Sequence, residues 1–370
     1  MKCLPSNKLP LAKGNILHDW HAEVVAIRAF NRFLLDECLL ISSPPYPTSD
    51  FIKRSNTEEH ASQPFTVRDD VSIHMYCSEA PCGDASMELT MAAQEDATPW
   101  TSEAPTIQTT TPSSPSAEAT NENSVSALRG RSNFSHLGVV RAKPSRPDAP
   151  PTLSKSCTDK LALKQATSLL SSTASLLICP KKAYLATLVL PASQHIPQAC
   201  DRAFSPSGRL ESLFSSGNEP WGGGYGFQPF TVHSTSREFA WSRRALAPGD
   251  KAMPSNLSAV WTPHWQETLI GGVLQGRKQL DPRGASRISR RGMWIQGVRL
   301  AAMVGGFAST MGSETLLSKD QTYRHVKDSS LLKERKRLKK DMQSVLKGWI
   351  RNTGDDNWSL DDVVLPPNKP

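Results

Sequence analysis

The stretch Leu17-His18-Asp19-Trp20-His21-Ala22-Glu23-Val24 sets a histidine and a glutamate two residues apart, at the point where an apolar helical run, Val24 to Leu35, begins. An imidazole beside a carboxylate in this pattern reads as a metal ligand next to a proton carrier. Such chemistry needs one group to hold the metal and a second, unligated group to move protons. His-x-Glu alone is equally compatible with surface polarity, so the reading depends on thiolates elsewhere in the chain.

Pro81-Cys82-Gly83-Asp84-Ala85-Ser86 follows an alternating, strand-like segment, Val71 to Tyr76, and precedes a helix-like one, Met87 to Met91. Cys82 therefore falls where strand gives way to helix. Unpaired backbone donors and the positive end of a helix dipole favour a thiolate there. Zinc deamination signatures place a second cysteine three residues after the first, but position 85 is Ala85. The third ligand must come from elsewhere. Cys157, in Lys155-Ser156-Cys157-Thr158-Asp159-Lys160, repeats the setting of Cys82 ahead of a helical run expected over Leu161 to Ile178. Cys77 is its main competitor, whereas Cys3, Cys38, Cys179 and Cys200 have no such context.

Lys2-Cys3-Leu4-Pro5, His21-Ala22-Glu23, Pro81 to Ala85, Arg141-Ala142-Lys143-Pro144 and Ser156 to Lys160 occur in an order that resembles the editase family of adenosine deaminases acting on RNA. Gly83 to Glu88 and Asp148 to Thr152 are similar to its tRNA-acting type. The resemblance implies an α/β fold: a three-layer cytidine-deaminase-like core with a mixed sheet, extended by a C-terminal region of helices and strands around an inositol phosphate site. It implies zinc held by His21, Cys82 and Cys157 with a fourth position open, and Glu23 as proton shuttle. It further implies a buried inositol hexakisphosphate, linked to the metal centre by a relay of Lys160, Asp19 and Lys143. The expected reaction is conversion of adenosine to inosine, at position 37 of an alanine tRNA.

Arg28 lies within the apolar helical run, where a cation is costly to bury unless it meets an anion. Arg287, Arg290, Tyr323, Lys327, Trp349 and Arg351 resemble, in their order, the rest of the family's phosphate cage. Ile27 and Leu163 stand where relatives often carry arginine, so a sparser cage is expected. Charge distribution agrees with an anionic partner. The formal charge is +8, yet Gly271 to Arg351 holds 18 basic against 6 acidic residues, a local +12 that leaves −4 for the remainder. Leu331 to Arg351 reads as a helix with Leu338, Met342, Val345 and Trp349 on one stripe and six cations near its start, available to phosphate, RNA or solvent.

Metal ligands at 21, 82 and 157 would tie distant segments into a single domain over 1–370. Residues 92–127, rich in Thr, Ser, Ala and Pro and free of Lys and Arg, read as a disordered insert. Seven cysteines without pairing pattern indicate a reducing, intracellular setting, nuclear or cytoplasmic. No apolar run is long enough to span a membrane, and the partner implied by the resemblance is tRNA. By the resemblance, a helix and strand that usually precede Lys2 are missing. That departure motivates an alternative: a shortened, noncatalytic RNA-binding protein with structural zinc and inositol phosphate.

Overall fold

A computed structural model describes residues 2–55, 62–94, 106–110, 124–131, 133–144, 148–215, 221–253, 255–304, 316 and 321–361. The apolar run at Val24 extends well past Leu35. Helix α1 covers Ala22–Ser42, with His21 as its extended N-cap residue and Glu23 in the first turn, where the dipole favours a carboxylate. Its successive faces enter three clusters. Val25 and Ala29 pack with Leu4, Leu17 and Trp20; Ile27 and Phe30 meet the cluster of Leu161 and Leu188; Leu34, Leu35, Cys38 and Ile41 meet Phe65, Trp294 and Trp358.

The chain continues through β1 (Ile52–Arg54) and β2 (Phe65–Val67), an antiparallel pair, then β3 (Ile73–Tyr76) and α2 (Met87–Ala92). Strands β4 (Thr106–Thr110), β5 (Ser124–Arg129) and β6 (Arg141–Ala142) lead to α3 (Cys157–Thr167) and α4 (Ser172–Ser175). Next come β7 (Leu185–Pro191), α5 (Pro197–Phe204), α6 (Ser212–Ser215) and β8 (Thr231–Thr235). The antiparallel sheet β9 (Leu257–Thr262), β10 (Trp265–Ile270) and β11 (Val273–Leu274) precedes α7 (Arg290–Met303), α8 (Tyr323–Asp328) and α9 (Lys333–Val345).

The architecture is mixed α/β with several small sheets. The sheet next to the Cys82 turn has the order β3-β7-β8 and is wholly parallel among the described residues; mixed pairing occurs instead in β4-β5-β6. Parallel pairing puts the chain exits after Tyr76, Pro191 and Thr235 on one edge, the carboxyl edge where open α/β sheets carry their sites. Within 92–127, read above as a disordered insert, Ala92 closes α2, while Thr106–Thr110 pairs with Ser124–Arg129 in an antiparallel ladder. Ala93 and Gln94 follow α2 in a turn, and the remainder of that span lies outside the described residues.

One expected helix is two. Helix α3 stops at Thr167 because Ser168 adopts a left-handed φ of 56°, and α4 starts afresh with Ser171 capping the Ala174 amide. Asn31 of α1 pins the break, donating to the Leu169 carbonyl at 2.9 Å and accepting from the Ser171 amide at 2.5 Å. The interruption leaves the Leu169 and Leu170 carbonyls facing away from any helix ladder. Two cations use them, as described below. Helix α9 is shorter than Leu331 to Arg351, with Leu338 and Met342 buried and Val345 and Trp349 packed partly against the same cluster.

Candidate active site

The segments carrying Cys82 and Cys157 are laced together by their backbones. Ser156 caps α3 by accepting from the Asp159 amide at 3.1 Å, which leaves Cys157 as the first helical residue with its amide free. That amide points at the Cys82 sulfur, 3.4 Å away. The Thr158 amide donates to the Cys82 carbonyl at 3.1 Å, and the Thr158 hydroxyl lies 3.0 Å from the Pro81 carbonyl. Gly83 makes the approach possible. Its φ is 112°, and a Cβ there would lie 2.3 Å from the Ser156 hydroxyl.

The two sulfurs act on each other electrostatically. A hydrogen bond from the Cys157 thiol, supported by the Lys143 ammonium, outweighs burial and brings Cys82 down to about 6. Giving up that hydrogen, against a neighbouring thiolate and in a buried setting, holds Cys157 well above its usual range. Lys143 donates to the Cys157 sulfur at 3.2 Å. Cys77, the competing candidate, is kept out of this pair. Its amide extends the strand ladder to Val189, and burial, with Glu23 second, raises its thiol strongly.

His21 is held by Asp19, whose Oδ1 lies 2.7 Å from His21 Nδ1 and accepts from the His21 amide at 3.0 Å. With Nδ1 committed, Nε2 is the ring atom left for a metal, the arrangement in which a carboxylate fixes a ligand's tautomer. Asp19 Oδ2 accepts from Lys143 at 2.8 Å, from Ser154 at 2.7 Å and from Lys160. Burial opposes its charge, but Lys160, then Lys143 and His21, hold the carboxyl well below its usual value. Lys160, Asp19 and Lys143 thus form one contiguous chain from the cation-rich interior to the sulfur pair. Ser154 belongs to the same hub and carries no sequence signal.

Cys3, set aside in the sequence, also lies here. A bridge between Cys3 and Asp19 brings its sulfur to 3.8 Å from His21 Nδ1, and Cys3, Asp19 and His21 gather possible metal-ligating atoms within 4.8 Å. Burial, and next Asp19, push the Cys3 thiol up to about 12. The Asp19 carboxylate already accepts from Lys143, Ser154, Lys160 and the His21 amide, so this trio reads as support for His21. Zinc favours thiolate and imidazole donors. By donor chemistry His21 Nε2, Cys82 and Cys157 suit it, a half-buried and a buried sulfur beside an imidazole whose tautomer is fixed, while among the described residues only Cys3, Asp19 and His21 have ligating atoms all within 4.8 Å. Glu23 is electrostatically coupled to Cys77, Cys82 and Cys157, yet its carboxylate has no hydrogen-bond or ion-pair partner among the described residues.

Behind the hub lies a cluster of cations. Arg28 donates to the Ile288 carbonyl at 2.7 Å; burial, then Arg290, lowers it to about 10. Lys164, which the sequence reading passed over, donates to the Leu169 and Leu170 carbonyls, and Arg335 donates to Leu170 as well. Burial, followed by Arg335, Lys339 and Arg28, holds Lys164 well below its usual value. Lys339 falls to about 7 through burial and the charges of Arg335, Lys327, Arg290 and Arg351. Lys339 is itself exposed on α9. Arg335 and Lys339, one turn apart on α9, face this cluster, while Lys336 pairs with Asp328 and Arg337 with Glu334.

The remaining cage candidates divide. Arg290 pairs with Asp355 at 3.1 Å and lies over Tyr323, which stacks on Trp358. Lys327 pairs with Asp356 at 2.9 Å, and Trp349 lies beneath Lys155. Arg351 is exposed but still acts on Lys339. Arg287 is not brought in. Its guanidinium lies 3.6 Å from Glu267 and over Trp265, about half exposed, because the turn before α7 directs it toward β10.

Among the described residues no helix is long and apolar enough to cross a membrane. Comparison with known proteins gives a match to the adenosine-deaminase (editase) domain over residues 1–353. The chain is 34% identical over 361 residues to tRNA-specific adenosine deaminase 1 of Schizosaccharomyces pombe, covering 96% of this chain and 82% of the relative. It is 36% identical over 172 residues to the Saccharomyces cerevisiae protein of that name, covering 46% and 39% of the two chains. Against the double-stranded RNA-specific adenosine deaminase of Mus musculus it is 33% identical over 86 residues, 23% of this chain and 7% of the other. A domain match over nearly the whole chain places this chain in the adenosine-deaminase (editase) domain family.

Proposed function

We propose that this chain converts adenosine to inosine in tRNA by hydrolysis, with zinc held by His21, Cys82 and Cys157 in a three-layer, cytidine-deaminase-like core. The observation that carries the reading is the convergence of three segments: the Cys157 amide donates to the Cys82 sulfur at 3.4 Å, and Lys143 reaches both Cys157 and the Asp19 carboxylate that holds His21, with the uncommitted Glu23 carboxylate acting on both sulfurs. Zinc bound there would lower the pKa of water enough to make a nucleophile near neutral pH. The chain's own residues do the rest. Asp19 fixes the His21 tautomer, and Lys143 balances the thiolate charge. Glu23 takes a proton from water and delivers it to the adenine ring nitrogen, then assists departure of the amino group. Adenosine and water become inosine and ammonia.

The cation cluster supports a second bound group. Arg28, Lys164, Arg290, Arg335 and Lys339 oppose one another's charge in a protein interior, a costly arrangement unless a concentrated anion stands among them. Inositol hexakisphosphate has the charge and size for that role, and Lys160–Asp19–Lys143 would connect it to the catalytic centre. Trp349, Tyr323, Lys327 and Arg351 would complete its surroundings. The noncatalytic alternative is not favoured, since a purely structural zinc site is more often closed by a fourth protein ligand than left beside a free carboxylate.

The tRNA assignment follows the names of the yeast relatives, and the adenosine 3′ of the anticodon in an alanine tRNA, position 37, is the proposed target. Incubating purified protein with total tRNA and sequencing for adenosine-to-guanosine changes tests it. A change confined to that position is expected. Inosine only in long duplex RNA, or none in any RNA, would overturn the reading.

A further inference from the structure

We infer that residues 236–246 form a stacking platform for an unpaired RNA base beside the Cys82 turn; the inference rests on the reading of the chain as an RNA deaminase. The segment leaves β8 at the same sheet edge from which β3 runs toward Cys82. It is fastened there. Arg244 pairs with Glu79 at 2.8 Å and with Glu238 at 3.1 Å, and donates to the Ser78 carbonyl. Glu238 in turn accepts from Ser193, at the end of β7, at 2.6 Å. Tyr76 donates to the Arg237 carbonyl at 3.3 Å. Every one of these anchors lies at the carboxyl edge of the sheet, and Ser78 and Glu79 are four and three residues from Cys82.

On this anchored frame the large side chains point outward. Trp241 is 87% exposed and Phe239 is 46% exposed. Isolated surface apolar residues are ordinary, but a tryptophan left open on a backbone tied at several points is held ready for a planar partner. Arg237 and Arg243 flank it and are exposed; Arg243 is only 3.8 Å from Glu79 and otherwise open to solvent. An exposed aromatic with exposed arginines two and four residues away in sequence is complementary to a base with its adjoining phosphates. An apolar protein partner would leave those arginines desolvated and unpaired. A deaminase must take its target base out of the stack, which leaves neighbouring bases without partners. Trp241 would receive one of them.

The test uses the full chain and fluorescence anisotropy with a short unpaired RNA and a blunt RNA duplex of equal length. Trp241→Ala is expected to weaken binding of the unpaired RNA about tenfold while leaving duplex binding and melting temperature unchanged. Trp241→Phe should recover most of the loss, and Arg243→Ala should reduce the salt dependence of binding. Equal affinity of Trp241→Ala and wild type for the unpaired RNA, or an equal loss for both RNAs, overturns the inference. Trp241-dependent binding without inosine formation would sink the deaminase reading alone. Inosine formation with Trp241-independent binding would sink the platform alone.

Discussion

Replacing Asp19 by asparagine removes the carboxylate that lies between the Lys143 and Lys160 ammoniums while keeping side-chain volume and an acceptor for His21. Lys143 is 7% exposed, so its charge would be left with cysteine sulfurs, Cys157 first and then Cys82 and Cys3, as nearby compensation. Lys160, a quarter exposed, can turn outward and loses less. Breaking one partner of a buried ion pair costs about 3–5 kcal/mol. With an unfolding entropy scaled to a chain of this length, that is a drop of about 4–6 °C in Tm. Differential scanning calorimetry of wild type and Asp19→Asn measures it. The double variant Asp19→Asn/Lys143→Met gives a sharper reading, because it also deletes the orphaned charge and should be more stable than the single variant. A Tm within about 1 °C of wild type for Asp19→Asn, or no recovery in the double variant, would refute the reasoning.

Cys157→Ser should lose zinc, measured by plasma emission spectroscopy, whereas Cys77→Ser should keep it; the reverse pattern would move the ligand role to Cys77. Gly83→Ala forces a Cβ into Ser156 at a left-handed φ and should cost at least about 1–3 kcal/mol, with accelerated metal release to a chelator as the readout. The cation cluster gives a pH signature. In protein refolded without inositol hexakisphosphate, Lys339 gives up its proton near 7, while in the unfolded chain it keeps it to about 10.5. Between those values the unfolded state binds more protons, so stability of anion-free protein rises from pH 7 toward pH 10. Added inositol hexakisphosphate restores the charge and should abolish that rise in thermal melts; identical pH profiles with and without it would return these cations to a structural role.

Local patterns in the sequence located several site elements. The strand before Cys82, the start of α1 at Glu23 and the cap before Cys157 each follow from neighbours within a few positions. Where long-range packing decides, the pattern misleads. The stretch from Leu161 to Ile178 is rich in leucine and alanine, and Asn31, more than 130 residues earlier, holds the break at Ser168. Lys164 and Lys339 look like solvated charges in sequence because their partners are remote cations, and repulsion leaves no periodicity to read. Arg287 fails for the opposite reason. Its position in order resembles the cage, but Glu267 and Trp265, on a strand with no sequence link to it, supply a nearer charge and ring. Cys3 was invisible because a single bridge to Asp19, not a motif, carries it to His21.

The central claim is that Glu23 moves protons at a centre held by His21, Cys82 and Cys157, and one paired measurement tests it most directly. Wild type and Glu23→Gln, purified alike, are assayed on the same day for bound zinc and for inosine formed in alanine tRNA. The account expects equal zinc in both, inosine with wild type, and a loss of at least about a hundredfold in rate with Glu23→Gln, the scale of general acid–base catalysis. Zinc lost together with activity would make Glu23 a ligand, and inosine formed by Glu23→Gln at the wild-type rate would contradict the account outright.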